Sequence, residues 1–199
     1  MSLAALQGSL ELGIIYAIMA LGVFISFRTL NMPDLTVDRS FVLGAAVSAV
    51  MSIAGQPVAA IFAAFFAGCL AGCVTALLHT KLKIQPLLSG ILVMLALYSV
   101  NIRVMGNKSN LSLINIDTVF TVFEETSVED YIKLIMSFVI LVIVLVLLFF
   151  FLKTRLGFVL RATGDNDRMV RALGVNTDFT KLIGLALSNG LVAMSGALI

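Results

Sequence analysis

Charge is what this sequence has least of. Only 12% of its 199 residues are Asp, Glu, Lys or Arg, 60% are hydrophobic, and the mean hydropathy is +1.11. An ordinary soluble domain carries about 25% charged and 45–50% apolar residues, so the composition excludes a soluble fold and leaves a polytopic membrane protein. The net charge of +2 points neither to nucleic acid nor to an acidic partner, and only the placement of charge is informative. Histidine is nearly absent: His79 stands alone, and no Cys/His cluster has metal-ligand spacing. A G-x-x-x-x-G-K-[ST] phosphate loop is also missing, so any ATP the protein uses must be hydrolysed on another chain. No catalytic residue, metal site or cofactor is expected. Cysteine is limited to Cys69 and Cys73; four apart in an apolar stretch, they read as small packing residues rather than a bridge. The first twelve residues contain no Lys or Arg, and the apolar run after them has no cleavage-type ending, so it reads as a retained span rather than a signal.

What is present is long apolar runs. A helix needs about 20 apolar residues to cross the hydrocarbon core. Runs of that kind lie at 10–27, 41–54, 58–79, 85–104 and 131–152, and a sixth starts at 182 and is still continuing at Ile199. The fold expected is an all-α transmembrane helix bundle forming a single domain, 1–199. Because the sixth run meets no polar anchor, the sequence reads as the N-terminal part of a longer protein. Charge orients the spans. The stretch 103–131 holds Arg103 and Lys108 against Asp117, Glu124, Glu125, Glu129 and Asp130, whereas 153–181 and the HTKLK segment at 79–83 are basic. The first belongs outside and the other two in the cytoplasm; alternation then puts Arg28 and Arg39 inside.

The spans differ in kind. Ser40, Gly44, Ser48 and Ser52 in the second, and Ala64, Gly68, Gly72 and Ala76 in the third, recur every fourth position and make flat faces where another backbone can approach. The fifth is crowded with Leu, Ile, Val and Phe and reads as lipid-facing. Between the first two lies the polar break 28–40, with Asn31, Pro33, Asp34, Asp38 and Arg39. Ionisable groups near a membrane interior face a pathway or a partner, so these residues either line a route or lock the bundle; an ordinary hairpin is the plainer alternative. Gln85, Ser89, Tyr98, Ser99 and Asn101 in the fourth span are candidates for the same roles.

The loop 153–181, KTRLGFVLRATGDNDRMVRALGVNTDFTK, is long, basic and punctuated by glycine. Asp165 is expected to cap a short helix over 166–173, with Gly174 turning left-handed at its end. Met169, Val170 and Leu173 would fall on one side and Arg168 and Arg171 away from it. Such a helix suits a groove on a soluble subunit, or else anionic lipid held by its arginines.

The break LNMPDLTVDRSFVLGAAVSA followed later by LGFVLRATGDNDRMVRALGVN resembles the permease subunits of ABC importers of the branched-chain amino acid and ribose type. Within that family, GILVMLALYSVNIRVMG is similar to the tryptophan and tyrosine permease branch. The resemblance implies a type II ABC importer-like permease in a bacterial inner membrane that imports a small solute, an aromatic or branched-chain amino acid. It implies contact with the ATPase through Gly157, Arg161, Ala162, Asp165, Asn166, Met169, Val170, Leu173, Gly174 and Asn176. It also implies a translocation path near Asn31, Pro33, Asp34, Asp38, Arg39, Tyr98 and Asn101. The partners implied are a cytoplasmic ATP-binding subunit, an extracytoplasmic solute-binding protein, a second permease copy and membrane lipid. The rival reading, a self-sufficient secondary transporter or channel, calls for an ion-coupling carboxylate deep in a span, and the runs above contain only Glu11, near an end.

Overall fold

A computed structural model describes residues 3–108 and 129–199. The helices in order are α1 (Leu3–Phe24), extended by a π-helical turn (Ile25–Thr29), then α2 (Thr36–Ile53), α3 (Pro57–Thr80) and α4 (Pro86–Val104), followed by α5 (Glu129–Lys153), α6 (Arg155–Asp165), α7 (Asp167–Ala172) and α8 (Thr177–Gly196). Asp117, Glu124 and Glu125 of the acidic stretch lie outside the described residues. Proline opens both α3 and α4, where its missing N–H is no loss and its fixed φ already suits a helix. The links are tight: Gly55 turns left-handed after α2 at φ 76°, and the His79 ring nitrogen Nδ1 lies 2.8 Å from the Ile84 carbonyl before α4.

Among the described residues five helices, α1 to α5, are long and apolar enough to cross a membrane, and the chain is an all-α membrane bundle. The run expected as a sixth span is α8, which differs in its surroundings from the other five. α8 is interrupted by Ser188, Asn189 and Ser195, all fully buried, and is enclosed by α1, α2 and α3 rather than by lipid. An enclosed helix can afford polar side chains because its neighbours supply their partners. Ser188 donates to the Gly22 carbonyl at 2.7 Å, Ser195 to the Ile15 carbonyl at 2.6 Å, and Ser48 of α2 to the Ala197 carbonyl at 3.0 Å. The order of the first two pairs makes α1 antiparallel to α8, and Ser40–Asn189 with Ser48–Ala197 makes α2 parallel to it.

The small-residue faces are where α8 is seated. Gly44 of α2 lies against the backbone of Ala193, Gly68 of α3 against that of Asn189, and Gly72 against that of Leu185. In each case a Cβ would overlap backbone atoms of α8. From the partner side, Gly196 of α8 meets the Phe41 backbone in the same way. α5 is the opposite case. Only 17% of its apolar window is buried, and its exposed Ile, Leu, Val and Phe side chains turn outward, as its uniform bulk predicts.

The polar break is shorter than the sequence suggests. Thr29 is still in the π-helical turn and α2 already begins at Thr36, so only 30–35 are non-helical and Asp38 and Arg39 belong to α2. The π turn closes with Leu30 N donating to the Ile25 carbonyl at 3.0 Å, and Met32 N then reaches the Ser26 carbonyl at 3.0 Å. Pro33 ends helical continuation here, because it has no N–H to donate.

Candidate functional site

Two sites emerge, one buried and one exposed. The buried one centres on Asp34, which is 3% exposed. Its Oδ1 accepts the Thr36 backbone N–H at 2.8 Å, and its Oδ2 accepts Nδ2 of Asn189 at 2.7 Å. Ser40 donates to Oδ1 of the same Asn189 at 2.7 Å. Thr36 pairs hydroxyl to hydroxyl with Thr75 of α3 at 2.9 Å, and also reaches the Gly90 carbonyl of α4 at 3.5 Å. The break and α2, α3, α4 and α8 therefore meet at one hydrogen-bonded point. Gly90 permits it, since a Cβ there would sit 2.9 Å from the Leu35 nitrogen and 3.2 Å from Asp34 Oδ1. The positive end of the α2 dipole faces the Asp34 carboxyl, a favourable arrangement for an acid without a cation beside it.

The remaining residues of the break separate by environment. Asn31 and Pro33 are exposed, Asn31 in the left-handed region at φ 53°. Asp38 and Arg39 lie on the α2 surface beside α4. The Arg39 guanidinium stands over the Tyr98 ring at 5.3 Å, Asp38 is 3.9 Å from its Nε, and Nδ2 of the buried Asn101 donates to the Arg39 carbonyl at 3.3 Å. Tyr98 is half-exposed. Asp34 is thus enclosed in the core, while Arg39 and Tyr98 lie at an open face, with the buried Asn101 bonded to the Arg39 backbone.

The exposed site is the 153–181 element, built by three successive side-chain caps. Thr154 accepts from Gly157 N at 3.3 Å to start α6, Asn166 accepts from Met169 N at 3.0 Å to start α7, and Asn176 accepts from Asp178 N and Phe179 N at 3.1 and 3.3 Å to start α8. The cap of α7 is therefore Asn166, not Asp165. Asp165 is the last residue of α6, because the helical register runs one residue further than the charge pattern suggests. Gly174 ends α7 at φ 84°, the left-handed position expected of it. Gly157 lies on the Leu152 backbone and Gly164 on Thr29 and Leu30, which puts the element at the same end of the bundle as Arg28, as alternating spans require. Arg161 and Ala162 are exposed on α6.

The apolar side chains of α7 do not share one side. Val170 is 5% exposed, while Met169 and Leu173 are 60% and 72% exposed. Val170 anchors α7 inward and the other two project from it. Charged links then strap α7 to α8. Arg171 Nε donates to the Thr177 hydroxyl at 2.8 Å and its guanidinium pairs with Asp178, while Lys181 pairs with Asp167 at 2.8 Å. Burial pushes the Asp167 carboxyl up, but hydrogen bonds from Lys181 and Thr177 and the charges of Lys181 and Arg171 outweigh it and leave it below its ordinary value of 3.8. A carboxyl lowered on folding stabilises fully above its unfolded pKa and loses that contribution as pH falls from there through its folded value. The protection factors of the α7 and α8 first-turn amides, which take out the intrinsic pH dependence of exchange, should accordingly fall below about pH 4 and should not change with pH in Asp167→Asn.

Asn189, Thr36 and Thr75 were not evident as site residues from the sequence. Asn189 had a legible signal, a single amide in an otherwise apolar and small run; the two threonines had none, being ordinary in membrane helices.

A family model described as the branched-chain amino acid transport system permease component matches residues 5–199. The tyrosine transport system permease protein of Clostridioides difficile (strain R20291) is 43% identical over 186 residues, covering 93% of this chain and 60% of that protein. An uncharacterized protein of Rickettsia prowazekii (strain Madrid E) is 38% identical over 190 residues, covering 96% of this chain and 65% of its own length. The chain thus spans under two thirds of both relatives. No solved structure matches.

Proposed function

Because this chain belongs to the branched-chain amino acid transport permease family, we propose that it is the membrane-spanning subunit of an ABC importer whose ATP is hydrolysed on a separate cytoplasmic subunit. The observation that carries this reading is α7, a short helix capped at both ends, strapped to α8, and presenting Met169 and Leu173 outward. Two large apolar side chains held on a rigid, charged platform suit a groove on a soluble protein. Gly157, Arg161, Ala162, Asp165, Asn166, Gly174 and Asn176 shape or flank that platform, and Val170 holds it to the bundle. The element 153–181 then faces the cytoplasm.

The cargo is a small amino acid. The relative named for tyrosine transport favours an aromatic one. An extracytoplasmic binding protein would deliver it, and two permease copies would enclose the path in a bacterial inner membrane. ATP binding draws the two ATPase subunits together, and α7 carries that movement into α8 as a shift between two bundle states. A self-sufficient secondary transporter is the competing scheme, and Asp34 is the acid it would use; yet both Asp34 oxygens already accept N–H donors.

Extraction of the full-length protein with its partners tests the proposal. A P-loop ATPase should copurify with the wild type. Met169→Asp combined with Leu173→Asp should lower its recovery at least tenfold while leaving the permease inserted, since both positions are solvent-facing. Undiminished recovery would remove α7 from the docking surface, and wild-type protein that moves solute with no ATPase would favour the secondary transporter.

A further inference from the structure

The polar cluster of Asp167, Arg171, Asp178 and Lys181 marks one end of α8. At about 1.5 Å per residue, Asn189 lies about 12 Å deeper than Lys181 along the same helix. The bond from Ser40 to Asn189 sets its neighbour Arg39 at that depth too, well inside the span of the bundle. A guanidinium at such depth faces a water-filled route or another protein rather than lipid.

Arg39 is poorly matched by its own chain. Its side chain is 32% exposed, and the acid beside it, Asp38, is 3.9 Å away and 73% exposed. Arg39 Nε and Asn101 Oδ1 are buried atoms without a hydrogen-bond partner among the described residues. Asn101 as a residue is only 4% exposed, and its amide cannot simply be turned round, because Nδ2 is already spent on the Arg39 carbonyl. A buried acceptor and a buried guanidinium nitrogen left without partners, on residues joined by a hydrogen bond, are costly, and a ligand carrying both an acceptor and a donor would satisfy them. Tyr98 supplies a ring face beside them.

We propose that Arg39, Asp38, Asn101 and Tyr98 form a transient subsite for the zwitterionic end of the amino acid in transit. Arg39 takes the α-carboxylate through its planar fork. Asp38 and Asn101 Oδ1 accept from the α-ammonium, and an aromatic or aliphatic side chain rests on Tyr98. The inference rests on the amino-acid importer reading and adds to it the place where cargo is recognised within the membrane.

The test uses the complete importer in proteoliposomes, with binding protein in saturating amount so that capture does not limit, and labelled L-tyrosine and L-leucine as probes. Arg39→Gln should cut uptake per ATP hydrolysed at least tenfold. Arg39→Lys, which keeps the charge but not the fork, should cut it severalfold, and Tyr98→Leu should impair tyrosine more than leucine. ATPase recovery and the permease dimer should be unchanged in all three. Wild-type uptake in Arg39→Gln overturns the subsite alone. Loss of the dimer in that variant would make Arg39 a contact between copies and equally overturn it. Should Arg39→Gln fail to insert, Tyr98→Leu and Asp38→Asn, both at exposed positions, decide the matter: unaltered uptake in both rejects the subsite. Wild-type complexes that couple ATP to neither probe would instead defeat the importer reading, and the subsite with it.

Discussion

Gly44→Val is expected to yield no folded bundle. The first atom of the new side chain would overlap the carbonyl of Ala193, and behind it lie the Cα and carbonyl carbon of the same residue. Ordinary overpacking costs about 1–3 kcal/mol because side chains move aside. Here the obstruction is helix backbone, and relief requires α8 to withdraw from α2. That withdrawal would also part Ser40 from Asn189 and Ser48 from the Ala197 carbonyl, so the penalty should exceed the ordinary range. Recovery of monodisperse protein in mild detergent and its thermal midpoint would report it. Gly13→Ala is the control: nothing lies within 4 Å of a Cβ there, and a helical Gly-to-Ala change should be neutral or stabilising by up to about 1 kcal/mol. A Gly44→Val protein that melts like the wild type would mean α8 is not seated where it is described.

The second large effect is expected at Asn189. Asn189→Asp replaces the donor facing Asp34 with a second acid, and two carboxyl groups at hydrogen-bond distance in a buried site should destabilise by about 3–5 kcal/mol, the range seen when a buried charge is left uncompensated. Asp34→Asn should be milder. The Asn189 amide can turn so that its oxygen faces the new donor, and the Ser40 hydroxyl then accepts instead of donating. The exchange Asp34→Asn with Asn189→Asp restores a donor and acceptor pair. Its stability should recover most of the loss, a coupling near the upper end of the about 0.5–3 kcal/mol found for direct neighbours. Thermal unfolding of the two singles and the double in one detergent measures that coupling. Strict additivity would show that the contact between α8 and the break contributes nothing of its own.

These residues also show how far the sequence could be read. The small-residue faces at Ser40 to Ser52 and Ala64 to Ala76 were legible because fourfold spacing is a property of one helix. Their partner was not, because α8 carries the complementary backbone more than a hundred positions later and no local pattern announces the pairing. α5 was legible for the converse reason: a helix with bulk on every side can satisfy itself only against lipid. The enclosure of α8 was not legible, because its serines and Asn189 are tolerable only once α1, α2 and α3 surround them, and those neighbours are remote in sequence. The break was drawn too long for a related reason. Thr36, Asp38, Arg39 and Ser40 read as loop by polarity, whereas in the fold they make the first turns of α2, with Asp34 tied to its N-terminal amide. In the 153–181 element, Gly174 was placed correctly by its unique conformational freedom, and the cap was misplaced by one residue because Asp and Asn are nearly equal as caps.

The bonds that hold α8 link the start of the chain to its far end: Ser188 to Gly22 is 166 residues apart, Asn189 to Asp34 is 155, and Ser195 to Ile15 is 180. At about 5–20 residues per second of synthesis, α1, α2 and α3 wait on the order of ten to thirty seconds in the membrane before their common partner is made. Throughout that interval Asp34 lacks its amide, and the glycine seams of α2 and α3 stand open to lipid or to one another. The newborn protein is therefore most vulnerable before α8 inserts, as a half-built cradle. A lesion in α8 should be felt by the cell as a failure of α1 to α3 to mature.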